Sequence, residues 1–165
     1  MRWCASIPTI AALLAARPAA AEPLAEVSAR IGAGLAAGGG AGRSTLRGSP
    51  VVATFDGAYA INAEPYVWGF AGLVLETYDR TGVGLEGGLA VPVGHRGRAR
   101  LGARSLVRPY TLHGALVGAS WCWPAASLRG CVDVEADLYV AGTDLPKKTA
   151  IAQLVVAIGV SFDVW

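Results

Sequence analysis

Lysine is scarce in this chain, and a strong excess of basic charge is missing. The 165 residues include 14 basic and 12 acidic side chains, and Lys147 and Lys148 are the only lysines. Arg2 and Arg17 lie near the N-terminus, so the rest of the chain carries 12 basic against 12 acidic side chains. A balanced charge of this kind gives no reason to expect a nucleic-acid partner.

Long apolar runs are absent as well. After residue 21 the chain contains no uninterrupted apolar run of about 18 residues, so no transmembrane helix is predicted there. Even so, 53% of the residues are hydrophobic, and 22 glycines and 9 prolines accompany them. Apolar residues at every second position of many β-strands, joined by tight turns, explain this combination and predict an all-β fold.

Residues suited to metal or cofactor chemistry are few. Cys122 and Cys131 are the only cysteines after residue 21, and His95 and His113 are the only histidines. They fall on different predicted strands and ends, without the spacing of a metal site. The glycines follow the alternation of the strands and do not form a phosphate-binding loop. We therefore expect neither a metal ion nor another cofactor.

The N-terminal segment has the organisation of a signal peptide. Arg2 provides a basic start, residues 7–16 form a short apolar run, and Ala19–Ala21 provides a cleavage site of small residues. We predict export, with a signal peptide over residues 1–21 and one mature domain over residues 22–165.

The stretch Leu128–Val140 shows most clearly how the mature domain is built. Its even-numbered residues are apolar or glycine, and its odd-numbered residues are Arg129, Cys131, Asp133, Glu135, Asp137 and Tyr139. This period of two predicts a β-strand with one apolar and one polar face. Strands of soluble sheets are usually about 5–6 residues long, whereas membrane-spanning strands need about 9–11.

Seven further segments have the same alternation, and together they predict eight strands. They are Leu24–Ala36, Val51–Asn62, Tyr66–Thr77, Thr81–Val93, Arg98–Val107, Leu112–Trp123 and Ile151–Val164. In Tyr66–Thr77 apolar residues occupy both faces, so its phase stays open and a bulge is considered there. The connections are short, which predicts antiparallel neighbours and an eight-stranded up-and-down β-barrel.

Two barrel types use such strands with opposite faces inward. A secreted soluble barrel turns its apolar faces inward around an apolar ligand, whereas a transmembrane barrel turns them outward to lipid. Here the polar faces are rich in Gly, Ser and Ala, and their charges are concentrated on particular strands. Small inward residues suit the narrow lumen of an eight-stranded barrel, which favours the transmembrane type.

Aromatic residues fall near the two ends of the predicted strands, as the girdles of a membrane barrel do. One predicted girdle, at the periplasmic end, contains Tyr59, Tyr66, Trp68, Trp121, Trp123, Phe162 and Trp165. The other contains Tyr78, Tyr110 and Tyr139.

The chain thus resembles the small eight-stranded outer-membrane β-barrels of Gram-negative bacteria. The likeness is general: a signal peptide, alternating strands over nearly the whole mature chain, and an aromatic last residue, Trp165. It implies an outer-membrane location with the lipid bilayer as surroundings. In that family the last aromatic residue usually shares the phase of the outward apolar residues, whereas Trp165 lies one residue out of phase with Val156–Val164.

Two groups of residues are candidate sites on the polar faces. Opposing Cys122 and Cys131 across their turn sets a register with Ser120 opposite Asp133, and an exported protein permits a disulfide between them. Two free thiols are the alternative. The second group is a predicted network of lumen charges, formed by Arg98, Arg100, Arg104, Asp133, Glu135 and Asp137.

Such charges are costly inside a barrel unless they pair, which favours mutual ion pairs and a closed lumen. Glu26, Arg30, Asp56 and Glu86 are further candidates for the network. The alternative is a selective pore, in which rings of fixed charge set the ion preference. Eight strands leave little open space, which favours the closed barrel.

We therefore predict a non-enzymatic, monomeric outer-membrane protein with a structural or surface-interaction role. An extracellular partner would bind the exposed loops, chiefly Ala37–Ser49 and Ala141–Thr149. Ser105 and His113 can oppose each other on the lipid-facing side, as a serine and a histidine do in outer-membrane barrels that trim lipid A. The neighbouring strand offers only Val140 at that height, so a third, orienting group is missing.

Overall fold

Eight antiparallel β-strands close into a barrel in the structure, a computed structural model that describes residues 25–40, 43–62, 67–77, 81–143, 145 and 148–164. The strands are β1 (Ala25–Gly40), β2 (Arg43–Asn62), β3 (Val67–Thr77), β4 (Thr81–Val93), β5 (Gly97–Arg108), β6 (Leu112–Ala125), β7 (Leu128–Gly142) and β8 (Thr149–Val164). The predicted eight-stranded antiparallel barrel is confirmed. Within these ranges, no helix is long and apolar enough to cross a membrane.

The barrel closes where β1 meets β8. These strands pair without a register shift, from Ala25 opposite Val164 to Gly40 opposite Thr149. Every other pair joins neighbours in the sequence, so the strand order around the barrel is the order along the chain. Because closure leaves no edge strand, the backbone groups of both outer strands are paired. We call the end that carries Ala25 and Val164 the lower end.

The pleat turns one face of each strand outward and the other into the lumen. The outward face is apolar: Leu101 is 66% exposed and Ile158 is 65% exposed. The inward face of the same strands holds charged residues, and Arg104 is 0% exposed. In β7 the two faces are those that the alternation of Leu128–Val140 predicts.

The phase of β3, which the sequence leaves open, is settled by burial. Trp68, Phe70 and Val74 point inward and are buried, whereas Leu73 and Leu75 are exposed on the outside. The irregularity considered for this strand lies in β2, whose register against β3 shifts between Ala60 and Asn62. This shift lies at the end of the pairing between the two strands, beside Val67.

The loop predicted at Ala37–Ser49 is wrong. Residues 37–40 continue β1, and β2 begins at Arg43, so Gly38 pairs with both Thr45 and Ile151. The three consecutive glycines indicate a loop by propensity, but pairing on both sides holds their backbone extended. The loop at Ala141–Thr149 is also shorter than predicted, because β7 continues to Gly142 and β8 begins at Thr149.

Two aromatic residues assigned to the girdles lie instead in the lumen. Trp68 and Tyr139 are 6% and 1% exposed, respectively, because their strand phase turns them inward. The exposed aromatics at the lower end are Tyr59, Trp121, Trp123 and Phe162. Tyr66, Tyr78, Trp165 and the predicted signal peptide lie outside the described residues.

The lumen contains two clusters of packed apolar side chains. The upper cluster consists of Val52, Val74, Leu106, Leu112, Tyr139 and Val155, with Tyr110, Leu145 and Ile151 packed against it. The lower cluster consists of Ala58, Trp68, Phe70, Ala90 and Leu116. The upper cluster lies in the lumen toward the end opposite the lower end.

Close backbone contact between β4 and β5 requires glycine at one level of the wall. Gly88 pairs with Gly102, and a Cβ atom added at Gly88 would lie 2.2 Å from the carbonyl oxygen of Leu101 and 2.5 Å from the Cα of Gly102. Both contacts are to backbone, so the strands would have to move to accept any side chain.

This contact predicts a strong position dependence of glycine substitution. Gly88→Ala should lower the free energy of unfolding by about 1–3 kcal/mol, because it overpacks the wall. Gly130→Ala is the matched control, since a Cβ there meets nothing within 4 Å, and it should change stability by less than about 0.5 kcal/mol. Urea titration of the folded barrel in detergent measures both variants. Equal midpoints would contradict the close contact.

Candidate functional site

Ion pairs lie in the middle of the lumen. Three arginines face four carboxylates across the barrel, and we call these seven residues the lumen network: Arg30, Arg100, Arg104, Asp56, Glu86, Glu135 and Asp137. All seven are buried, with at most 8% of each residue exposed. Charged side chains can be buried away from water when they are paired and hydrogen-bonded, as these are.

Arg104 is the most enclosed member of the lumen network. Its Nη1 donates to Asp137 Oδ2 at 2.6 Å and its Nε donates to Glu86 Oε2 at 3.1 Å. Its Nη2 contacts both Glu86 and Glu135. The planar guanidinium therefore uses three of its nitrogens on three carboxylates, a geometry that lysine cannot reproduce.

Glu86 connects all three arginines of the lumen network. Its Oε1 accepts from Arg30 Nη2 at 2.8 Å and from Arg100 Nη2 at 3.1 Å, while its Oε2 accepts from Arg104. Arg30 also bonds to Asp56, which accepts a further hydrogen bond from the hydroxyl of Ser28 at 2.8 Å. β4 supplies this carboxylate from between two glycines, Gly84 and Gly88, where a Cβ atom would meet the backbone of β5.

A second, smaller group of charges lies toward the lower end. Arg98 donates to Glu26 Oε2 at 2.8 Å, and its guanidinium lies 4.9 Å from the ring centre of Trp68. Arg129 also reaches Glu26 Oε2, at 2.9 Å, and contacts Asp163. The two arginines thus share one carboxylate of β1.

The structure brings some of the predicted charges together and separates others. Arg100 and Arg104 lie among the carboxylates of β7, whereas Arg98 pairs with Glu26 across the lumen. Asp133 lies beside Arg30, 3.7 Å from its Nη1, and is 4% exposed. The pairing of Arg129 was missed by sequence reasoning, although its alternation with Cys131 and Asp133 places it on the inward face.

Aromatic partners of the arginines were also missed. The guanidinium of Arg100 lies 4.0 Å from the ring centre of Phe70. This contact, like that of Arg98 with Trp68, lets part of a buried cation face an aromatic ring. In the sequence, only the phase of β3 could have indicated these aromatic contacts. Apolar residues on both faces of that strand left its phase undetermined.

A disulfide joins β6 to β7 near the lower end. Cys122 and Cys131 are opposite each other and bonded, with their Cα atoms 4.1 Å apart. In the same register Ser120 lies opposite Asp133 and Gly118 opposite Glu135, as the sequence predicts. The disulfide fixes the hairpin from which Asp133 enters the lumen.

The lower half of the lumen contains a cavity of about 380 Å³ that opens at the lower end. Its inner part is bounded by Arg30, Asp56, Arg100 and Asp133, and its wall includes Trp68 and the disulfide. The turn between β4 and β5 contributes His95 and Arg96 near the mouth.

Ser105 and His113 meet on the outer surface, as their predicted register requires. They are directly opposite each other, and His113 Nδ1 lies 3.0 Å from Ser105 Oγ. On the other side of His113 the pairing partner is Ala141, because the register between β6 and β7 shifts there. No carboxylate hydrogen bond to His113 occurs among the described residues.

Within the same ranges, no group of three or more His, Cys, Asp or Glu side chains is arranged to hold a metal ion.

Comparison with known proteins yields similarity in structure only. No family profile matches the sequence, and no curated protein matches it. The chain in the crystal structure of Neisserial surface protein A (NspA) is 13% identical in sequence to the present chain. The match covers 82% of the present chain and 96% of the NspA chain, with a TM-score of 0.49. Ail, the attachment invasion locus protein of Yersinia pestis, is 13% identical over 83% of this chain and 98% of its own, with a TM-score of 0.47.

Ail in complex with the heparin analogue sucrose octasulfate has a TM-score of 0.44, at 14% identity over 84% of this chain and 99% of that chain. In strand number, antiparallel order and closure, the present chain resembles the small eight-stranded outer-membrane β-barrels of Gram-negative bacteria.

The central position of Arg104 generates a prediction about stability. Arg104→Gln should lower the free energy of unfolding by about 3–5 kcal/mol, because it leaves Glu86, Glu135 and Asp137 buried with less compensation. Arg98→Gln is the matched control: its side chain is 23% exposed, and Glu26 keeps Arg129 as a partner. Loss of this pair should cost about 1 kcal/mol or less. Urea titration compares the two, and a milder effect of Arg104→Gln would contradict the central role of this arginine.

Proposed function

We propose that this protein is a non-enzymatic outer-membrane β-barrel with a closed lumen and a structural or surface-interaction role. The observation that carries the proposal is the outer face of the barrel. Large apolar side chains are exposed on all eight strands, from Ile31 in β1 to Ile158 in β8.

In water this surface would be unfavourable. Soluble monomers rarely expose a contiguous apolar patch larger than a few hundred Å², and each Å² of apolar surface left in water costs about 25 cal/mol. In a bilayer the same side chains face lipid, and the closed barrel satisfies its backbone groups internally. The soluble barrel with an apolar ligand inside would need the reverse arrangement, whereas charges occupy this lumen.

Export is part of the proposal. The predicted signal peptide at residues 1–21 would deliver a mature domain over residues 22–165, and the disulfide between Cys122 and Cys131 suits an oxidising compartment. We place the lower end on the periplasmic side, so that the bilayer of the outer membrane surrounds the exposed apolar faces. No cofactor is part of the proposal.

Two layers support a closed lumen. The lumen network crosses the middle of the barrel, and the upper cluster fills the opposite end with apolar side chains. A selective pore would need a continuous aqueous path lined by fixed charge. Paired charges below packed apolar side chains favour a plug.

A surface-interaction role falls to the upper end of the barrel. With Ala37–Ser49 largely in β1 and β2, the segments available there are the turns between strands and the hairpin that joins these two long strands. Nothing in this role requires a second copy, and we propose a monomer. The Ser105–His113 pair lies on the outer face with Ala141 opposite His113, so it has no orienting carboxylate from that side.

The outer-membrane assignment predicts heat-modifiable migration. Folded protein in mild detergent should migrate differently from a boiled sample on a gel, because a closed barrel resists unfolding until it is heated. Cell fractionation should recover it with the outer membrane. Recovery as a soluble periplasmic or secreted protein without detergent would overturn the proposal.

The closed lumen predicts the absence of a stable conductance. Protein inserted in a planar bilayer should show no steady open channel, because the upper cluster and the lumen network block the path. Insertion is verified on the same sample by heat-modifiable migration. A reproducible open conductance with ion selectivity would favour the pore and contradict the plug.

A further inference from the structure

Charges of both signs line the cavity in the lower half of the lumen. Its inner part is bounded by two arginines and two aspartates, Arg30, Arg100, Asp56 and Asp133, whereas three arginines and one carboxylate line it toward the mouth: Arg96, Arg98, Arg129 and Glu26. A volume of about 380 Å³ lies within the range of about 300–1,000 Å³ that small-molecule sites occupy. The cavity therefore has the size of a binding site, with balanced charge in its inner part and an excess of arginines at its mouth.

Asp133 is the cavity carboxylate with the most hydrogen-bonding capacity left. It is 4% exposed, its Oδ1 lies 3.7 Å from Arg30 Nη1, and its Oδ2 has no hydrogen-bond partner among the described residues. Asp56, in contrast, accepts from Ser28 and contacts Arg30 and Arg100. A buried carboxylate oxygen without a donor is costly, and an ammonium group from a ligand would satisfy it.

Positive charge exceeds its partners at the mouth. Arg98 and Arg129 share the carboxylate oxygen Glu26 Oε2, at 2.8 and 2.9 Å, and Arg129 also contacts Asp163. Among the described residues, three arginines thus face two carboxylates there. Arg96 forms no ion pair with another described residue. This end of the cavity therefore suits an anionic group, and it disfavours a ligand that carries positive charge alone.

The wall between these two charged regions is partly apolar. The disulfide of Cys122 with Cys131 and the side chain of Trp68 line it, together with the small residue Ser120. Arg98, Ser120 and Asp133 are consecutive pairing partners across β5, β6 and β7. Two strand spacings separate the outer members of this row, about 10 Å along the wall.

We propose that this cavity binds a small zwitterion, with an ammonium group on Asp133 and a carboxylate at Arg96 and Arg98. The chemical class is an ω-amino acid or a short peptide with free amino and carboxyl ends, whose apolar stem lies along the disulfide and Trp68. The site opens at the lower end and is closed above by the lumen network. Binding in detergent is independent of the membrane orientation proposed above.

Calorimetric titration of the folded barrel in detergent tests the proposal with ligands of graded length. The probes are glycine, 4-aminobutyrate and 6-aminohexanoate, compared with 1,5-diaminopentane and glutarate, which carry only one kind of charge. We expect the longer ω-amino acids to bind more tightly than glycine, than the diamine and than the diacid. Asp133→Asn and Arg96→Gln should each weaken their binding about tenfold or more.

Arg108→Gln is the matched control, because Arg108 is exposed at the opposite end of β5, and it should leave binding unchanged. Folding of every variant is checked by heat-modifiable migration. If Asp133→Asn does not fold, Arg96→Gln in the exposed turn still decides the outcome. The proposal is overturned if no ω-amino acid binds, if the diamine binds equally well, or if the cavity variants bind as the wild type does.

Discussion

Closure of β1 onto β8 is the constraint on which the other features depend. Once these strands pair, every strand has two neighbours, and the pleat divides the chain into an outside and an inside with no third location. Most large apolar side chains take the outside, as Leu101 and Ile158 do, while a smaller set that includes Leu106 packs in the lumen. A charge on the inward face, such as Arg104, is enclosed and must find a partner there.

The partners come from the opposite wall as well as from the adjacent strand. Glu86 of β4 reaches Arg30 of β1, and Glu26 of β1 reaches Arg98 of β5. Long arginine side chains span an eight-stranded lumen, which side chains just fill. Gly88 and Gly102 let the backbones of β4 and β5 approach closely beside the level of Glu86 and Arg104.

Sequence reasoning predicted the architecture well and the interior less well. Alternation located all eight strands, and β4 begins and ends as predicted, because a period of two is imposed directly by the pleat. The loop at Ala37–Ser49 was wrong because local glycine propensity yields to pairing with two neighbours. Trp68 and Tyr139 were assigned to the girdles from their position near the strand ends, without regard to which face of the strand they occupy. Register placed Cys122 beside Cys131, but contacts across the lumen, such as that between Arg98 and Glu26, depend on side-chain reach, which a sequence does not encode locally.

The wide separation of the paired charges along the chain has a consequence for assembly. Arg30 and Glu86 are 56 residues apart, and Arg104 and Asp137 are 33 residues apart. A chain that crossed the bilayer one hairpin at a time would carry these charges into lipid before their partners arrived, at a cost of several kcal/mol for each charge. If the barrel lies in a membrane, as proposed above, it would have to roll up as a unit, with its sheet curved and its charges already facing one another during insertion. The order in which arginines and carboxylates occur along the chain would then require concerted insertion.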